Sequence, residues 1–80
     1  ERQQLGAAIA ACIAALPEPQ RVVLVLREYH DLDYQDIAQM LELDLGTVKS
    51  RLARARTKLR DDLIARIPEA VHGLGGRHAR

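Results

Sequence analysis

One stretch constrains this 80-residue chain more than any other: Asp44-Leu45-Gly46-Thr47-Val48-Lys49-Ser50-Arg51-Leu52-Ala53-Arg54-Ala55-Arg56. With Val48 at zero on a helical wheel of about 100° per residue, Leu52, Ala55 and Leu59 fall within about 40° of it. They form one apolar stripe, the signature of a helix with a buried side. Lys49, Ser50, Ala53, Arg54, Thr57 and Arg60 fall on the far side. Arg51 and Lys58 flank the stripe on one edge and Arg56 on the other. Asp44 precedes the stretch as an N-cap candidate, so a helix is expected from about Leu45 to Ile64 or slightly beyond, limited by Pro68.

The rest of the chain reads as three further helices. The first is expected over about Arg2–Ala15, with Leu5, Ile9, Ile13 and Leu16 forming its stripe. Leu16-Pro17-Glu18-Pro19 ends it and starts the second, expected from about Glu18 to Tyr29, because Pro is tolerated in a first turn and disfavours α at the residue before it. Local propensity conflicts here. Val22-Val23-Leu24-Val25-Leu26 would suit a buried strand, yet no other segment offers a partner strand to satisfy its backbone groups. Helix is therefore preferred. His30-Asp31-Leu32 makes a short connection. Asp33 caps a third helix over about Tyr34–Leu41, with Asp36 at its third position and Ile37, Ala38 and Leu41 facing inward. Glu42-Leu43 makes the next turn. Residues 67–80, with Gly73, Gly75, Gly76, Arg77 and Arg80, read as a flexible C-terminal tail. The expected fold is all-α: a small four-helix domain over residues 1–66, followed by a tail over 67–80.

Net charge is only +1, but the charge is sorted along the chain. Residues 28–44 carry Glu28, Asp31, Asp33, Asp36, Glu42 and Asp44 and no Lys or Arg; residues 45–60 carry Lys49, Arg51, Arg54, Arg56, Lys58 and Arg60 and no acid. A solubilising face normally interleaves acids for i, i+4 pairs. An unmixed basic face with small residues in it suits a nucleic acid. Ser50 and Ala53 let the backbone approach base edges in a major groove about 12 Å wide, and Lys or Arg donate to guanine or phosphate. The short helix before it, with Ala38 at the crossing and Ile37, Leu41, Leu43 and Val48 around the bend, completes a helix-turn-helix arrangement.

Other functions find less support. Cys12 is single and sits among Ala and Ile, so it forms no intrachain disulfide and reads as a buried structural thiol. His30, His72 and His78 are too scattered for a metal site. Asp31, Asp33 and Asp36 read as caps and a solvated acidic turn rather than catalytic carboxylates. No phosphate loop or nucleophile motif is present, so neither an enzyme nor a cofactor is expected. No apolar run approaches the roughly 20 residues of a membrane span. No secretory signal is visible, and a cytoplasmic location is the default; the chain begins at Glu1 rather than Met and reads as part of a longer protein.

Three segments carry a resemblance: Leu16-Pro17-Glu18-Pro19-Gln20-Arg21, Leu32-Asp33-Tyr34-Gln35-Asp36-Ile37-Ala38, and Gly46 through Arg56. In order and separation they resemble region 4 of bacterial sigma factors of the extracytoplasmic-function (ECF) group, over about Leu5–Leu63. The resemblance implies a module that recognises the −35 promoter element with its second helix-turn-helix helix, docks on the flap of the RNA polymerase β subunit, and in many members is covered by an anti-sigma factor. Carried over by position, it implies base reading by Lys49, Ser50, Ala53 and Arg54. Arg51 and Arg56 would meet phosphates, as would backbone amides near Gly46 and Thr47. It also implies a piece that does not itself start transcription, since the usual region 2 is not among these residues. Two positions depart from the pattern: Asp31 and Glu42 stand where the family often has Gly.

Two alternatives remain open at this level. Output domains of LuxR-type response regulators share Thr-Val-Lys in the recognition helix, but usually place His where this chain has Arg51. A helical interaction module bound by an anti-sigma partner without DNA binding is the other. The first helix supports partner binding, because Ile9, Ala10, Ala11, Cys12 and Ile13 carry apolar groups around more than one face.

Overall fold

The structure, a computed structural model, describes residues 2–66. Four helices follow in order: α1 (Arg2–Ala14), α2 (Glu18–Glu28), α3 (Tyr34–Leu41) and α4 (Leu45–Arg66). The ambiguous Val-rich run is helical. Pro19 stands in the first turn of α2, and Val23 and Leu24 are buried. Two helix ends differ slightly from expectation: α1 stops one residue earlier, at Ala14, and α2 ends at Glu28 with Tyr29 as its cap, while α4 ends at Arg66, as expected. The tail expected over residues 67–80 lies outside the described residues.

The core is one cluster. Leu16, Val23, Leu24, Ile37, Val48, Leu52 and Ala55 are buried, with Ile13, Leu26, Leu32, Tyr34, Ala38, Leu41, Leu43 and Leu59 packed around them. α4 touches each of the other three helices. Its stripe is the one drawn by the wheel, with Val48 and Ala55 at 0 % exposure. α1 requires a correction. Leu5, Ile9 and Ile13 are only partly buried, and Cys12 is the residue of this helix that is fully enclosed. A helix apolar around most of its circumference has no single stripe from which its inward side can be read.

Local chemistry fixes the connections. The Asp33 carboxylate accepts from the Asp36 N–H at 2.8 Å, which caps α3. α3 ends in a Schellman motif: Leu43 N–H donates to Ala38 O at 2.9 Å and Glu42 N–H to Gln39 O at 3.2 Å. That motif needs a left-handed residue, and Glu42 supplies it with φ 57°. The other left-handed residue is Asp31, φ 56°. The two acids standing where the resembled family often has Gly are therefore, among the described residues, the two held at positive φ, at roughly 1 kcal/mol each. The expected cap of α4 is also corrected. The Asp44 backbone carbonyl accepts from Val48 N–H at 3.1 Å, but among the described residues no hydrogen bond uses its carboxylate. Among the described residues, the N–H groups of Leu45, Gly46 and Thr47 have no hydrogen-bond partner.

One contact was not legible in the sequence. The Arg21 guanidinium donates to Leu16 O at 2.8 Å and to Ala14 O at 3.3 Å, so α2 caps the terminal carbonyls of α1.

Two substitutions test this account. Ile37→Ala empties the centre of the cluster and should cost about 2–4 kcal/mol in urea denaturation, a large fraction of the stability of a small domain. Glu42→Gly should relieve the left-handed strain, partly offset by a freer unfolded chain, and raise the thermal midpoint by about 2–5 °C.

Candidate nucleic-acid interface

The buried stripe of α4 fixes which side of the helix meets solvent. With Val48, Leu52 and Ala55 inward, Lys49, Ser50, Ala53 and Arg54 are all exposed and form one continuous outer face. Ser50 and Ala53 keep its centre low, and Lys49 and Arg54 border it. Gly46 lies one turn before Ser50 on the same face, and a Cβ there would meet nothing within 4 Å. The fold itself does not require glycine at that position. Glycine in a helix costs about 0.5–1 kcal/mol relative to Ala. The glycine leaves the backbone bare at the helix start, where the helix dipole places partial positive charge.

The seven cations of α4 are not equivalent. Lys58 pairs with Asp62 at 3.2 Å and Arg60 with Asp61 at 3.3 Å. Arg56 pairs with Glu28 at the end of α2. Among the described residues, Lys49, Arg51 and Arg54 have no carboxylate partner. Over residues 45–60 the unpaired charge is thus gathered in the first half of the helix.

Arg51 and Arg56 sit on opposite flanks, as the wheel requires, because α2 crosses α4 between them. Arg51 is half-buried in a cleft with Glu18, Pro19, Val22, Leu41 and Leu43, at the start of α2. Arg56 lies at the other end of α2, where its hydrogen bond to Glu28 raises the guanidinium pKa further. Partial desolvation opposes this, while the Glu28 charge and nearby Tyr34 reinforce it. Arg56 therefore stays charged under all ordinary conditions. Tyr34 also carries Arg27, whose guanidinium lies 5.3 Å from the ring centroid and donates to Leu32 O at 3.0 Å. Arg27, Asp33, Tyr34, Gln35, Leu45 and Lys49 line a shallow cleft of about 400 Å³ between the start of α3 and the start of α4. Sequence reasoning singled out neither Glu28, Tyr34 nor Arg27 for this surface. Glu28 and Arg56 are 28 residues apart, and no local pattern connects them.

The sequence family described as Sigma-70, region 4 matches residues 6–59, which include all of α2 and α3 and most of α1 and α4. This chain belongs to the sigma-70 region 4 family. Among similar proteins, this region 4 domain is 44 % identical over 55 residues to the RNA polymerase sigma-H factor of Pseudomonas aeruginosa, covering 69 % of this chain and 28 % of that protein. It is 42 % identical over 60 residues to the ECF RNA polymerase sigma factor SigE of Mycolicibacterium smegmatis, covering 75 % and 23 %. It is 39 % identical over 54 residues to the ECF RNA polymerase sigma-E factor of Escherichia coli K12, covering 68 % and 28 %. The domain thus spans about a quarter of the length of these curated relatives. The match favours the sigma reading over a LuxR-type output domain.

Both members of the Arg56–Glu28 pair are about half exposed, 50 % and 44 %. Ion pairs so exposed contribute about 0.2–1 kcal/mol. A double-mutant cycle with Glu28→Gln and Arg56→Gln should give a coupling within that range. The coupling should shrink as salt rises from about 0.05 to 0.5 M.

Proposed function

We propose that this domain is the −35 promoter-recognition module of an ECF-type sigma factor. The observation that carries the reading is the exposed Lys49-Ser50-Ala53-Arg54 face, opposite a fully buried Val48/Leu52/Ala55 stripe, on a helix whose N-terminal amides are open. In a region 4 domain such a face suits a major groove. Lys49 and Arg54 donate to base edges, with guanine O6/N7 the best acceptors. Ser50 accepts or donates, and the Ala53 methyl allows close approach or touches a thymine methyl. The backbone amides at Gly46 and Thr47 take a phosphate at the helix start. Arg51 and Arg56, on the two flanks, are placed for the phosphate rows bordering the groove.

The names of the relatives support RNA polymerase as the partner through which promoter recognition directs initiation, and we assign docking to the polymerase β flap. An anti-sigma factor is the second proposed partner, supported by the apolar circumference of α1 and by the groove that Ala10, Ile13 and Ala14 form with Val25 and Tyr29 of α2. No helix among the described residues is long and apolar enough to cross a membrane. A cytoplasmic site follows from the proposed partners, which act on the chromosome. The domain acts by binding, with no catalytic role and no cofactor; residues 1–66 make up the module and residues 67–80 an extension of it.

The test is enrichment of a randomised 30-bp duplex pool on the 80-residue chain, followed by titration of the winning duplex against a scrambled one. Arg54→Ala should weaken the enriched duplex by about 1–3 kcal/mol and relax its preference at one position. It should change scrambled-duplex binding far less. Equal effects on both duplexes would show that Arg54 reads no base.

A further inference from the structure

Arg56 lies on the same edge of α4 as Lys49, two turns further on: seven residues advance the helix by about 700°, within about 20° of two full turns. It therefore borders the reading face. In the free domain, however, its guanidinium is occupied by the Glu28 carboxylate, an acceptor whose paired oxygens match those of a phosphate. We propose that Glu28 is an intramolecular competitor for DNA: its carboxylate holds Arg56 in the phosphate's place, and binding requires Arg56 to exchange one anion for the other. This rests on the DNA-binding reading given above.

Three features favour exchange over a permanent brace. Both side chains are about half exposed, so a phosphate can reach the guanidinium and Glu28 can return to water. The crossing of α2 on α4 is already fixed by Val23, Leu24, Leu52 and Ala55, all buried, so the ion pair is not needed to hold it. Glu28 also stands at the C-terminal end of α2, where the helix dipole disfavours an acid. A residue in that place gains mainly from the cation opposite it.

The consequence is a sequence-independent filter. A phosphate contact by Arg56 is offset by the loss of its internal partner, so backbone contacts weaken on every duplex while the base contacts of Lys49 and Arg54 are untouched. Discrimination between duplexes then rests more heavily on base edges.

The 80-residue chain and its Glu28→Gln, Arg56→Gln and doubly substituted variants can be titrated by anisotropy with a mixed-sequence 30-bp duplex from about 0.05 to 0.3 M salt. Thermal melts would confirm that each is folded, and Glu28→Ala provides a second replacement. Competition predicts that Glu28→Gln tightens binding about 1.4- to fivefold at low salt, the range open to an exposed ion pair, and that the gain shrinks as salt rises. Arg56→Gln should abolish the gain, making the double variant equal to Arg56→Gln alone. The proposal is overturned if Glu28→Gln binds as wild type or more weakly, which is the behaviour of a brace. It is equally overturned if the gain survives in the Arg56→Gln background, which would mark a general loss of negative charge. A wild-type chain and variants that all fail to bind any duplex would instead overturn the DNA-binding reading, and this proposal with it.

Discussion

The rest of the structure depends on the burial of one side of α4. Val48, Leu52 and Ala55 pack against Val23 and Leu24 of α2 and Ile37 of α3, and no aromatic residue takes part in this buried cluster. Fully burying aliphatic side chains of this size contributes about 1.5–3 kcal/mol each. That contribution is large beside any single polar contact in the domain. It is also directional in effect: once these residues face inward, helical geometry leaves Lys49, Ser50, Ala53 and Arg54 no option but the outer side. This exposed face is a by-product of the core and needs no hydrogen bond of its own to present it.

The polar interactions adjust what the core has arranged. The Asp33 cap starts α3, the Schellman turn through Glu42 ends it, and Arg21 closes the end of α1. Each governs where a helix begins or stops, and so the phase with which α4 enters. The left-handed Glu42 is a local cost that the surrounding packing maintains. With a negative φ there, the Leu43 N–H would lose Ala38 O, and α4 would leave the turn in a different direction. A strained residue between the two helices of a helix-turn-helix thus sets the angle between them.

The ion pairs divide the basic helix into working parts. Its second half is largely neutralised by Glu28, Asp61 and Asp62, while Lys49, Arg51 and Arg54 stay free of carboxylates among the described residues. Positive potential is therefore concentrated near the open amides at the helix start, where partial positive charge is already present. A uniformly basic helix would bind any polyanion along its length. This one localises the attraction to about two turns, and the acids gathered on α2, α3 and the intervening turn discourage approach from that side.

The sequence by itself determined the four helices, the stripe of α4, the Asp33 cap and the outer face, because each follows from contacts within a few residues or from a 3.6-residue period. It also favoured helix for the Val-rich α2, through Pro19 and the lack of any partner strand. Only the tertiary structure decided the rest. α1 carries apolar groups nearly all round, so although the burial of Cys12 was expected, the partial exposure of Leu5, Ile9 and Ile13 was set by what the helix packs on. Asp44 has the composition of a cap, yet its carboxylate caps nothing, since propensity gives the choice of residue and not its rotamer. Arg56 looks from the sequence like any basic residue beside a stripe. Its partner Glu28 becomes visible only when α2 crosses α4, because an ion pair between distant residues depends on the position of two helices and leaves no periodic trace in either.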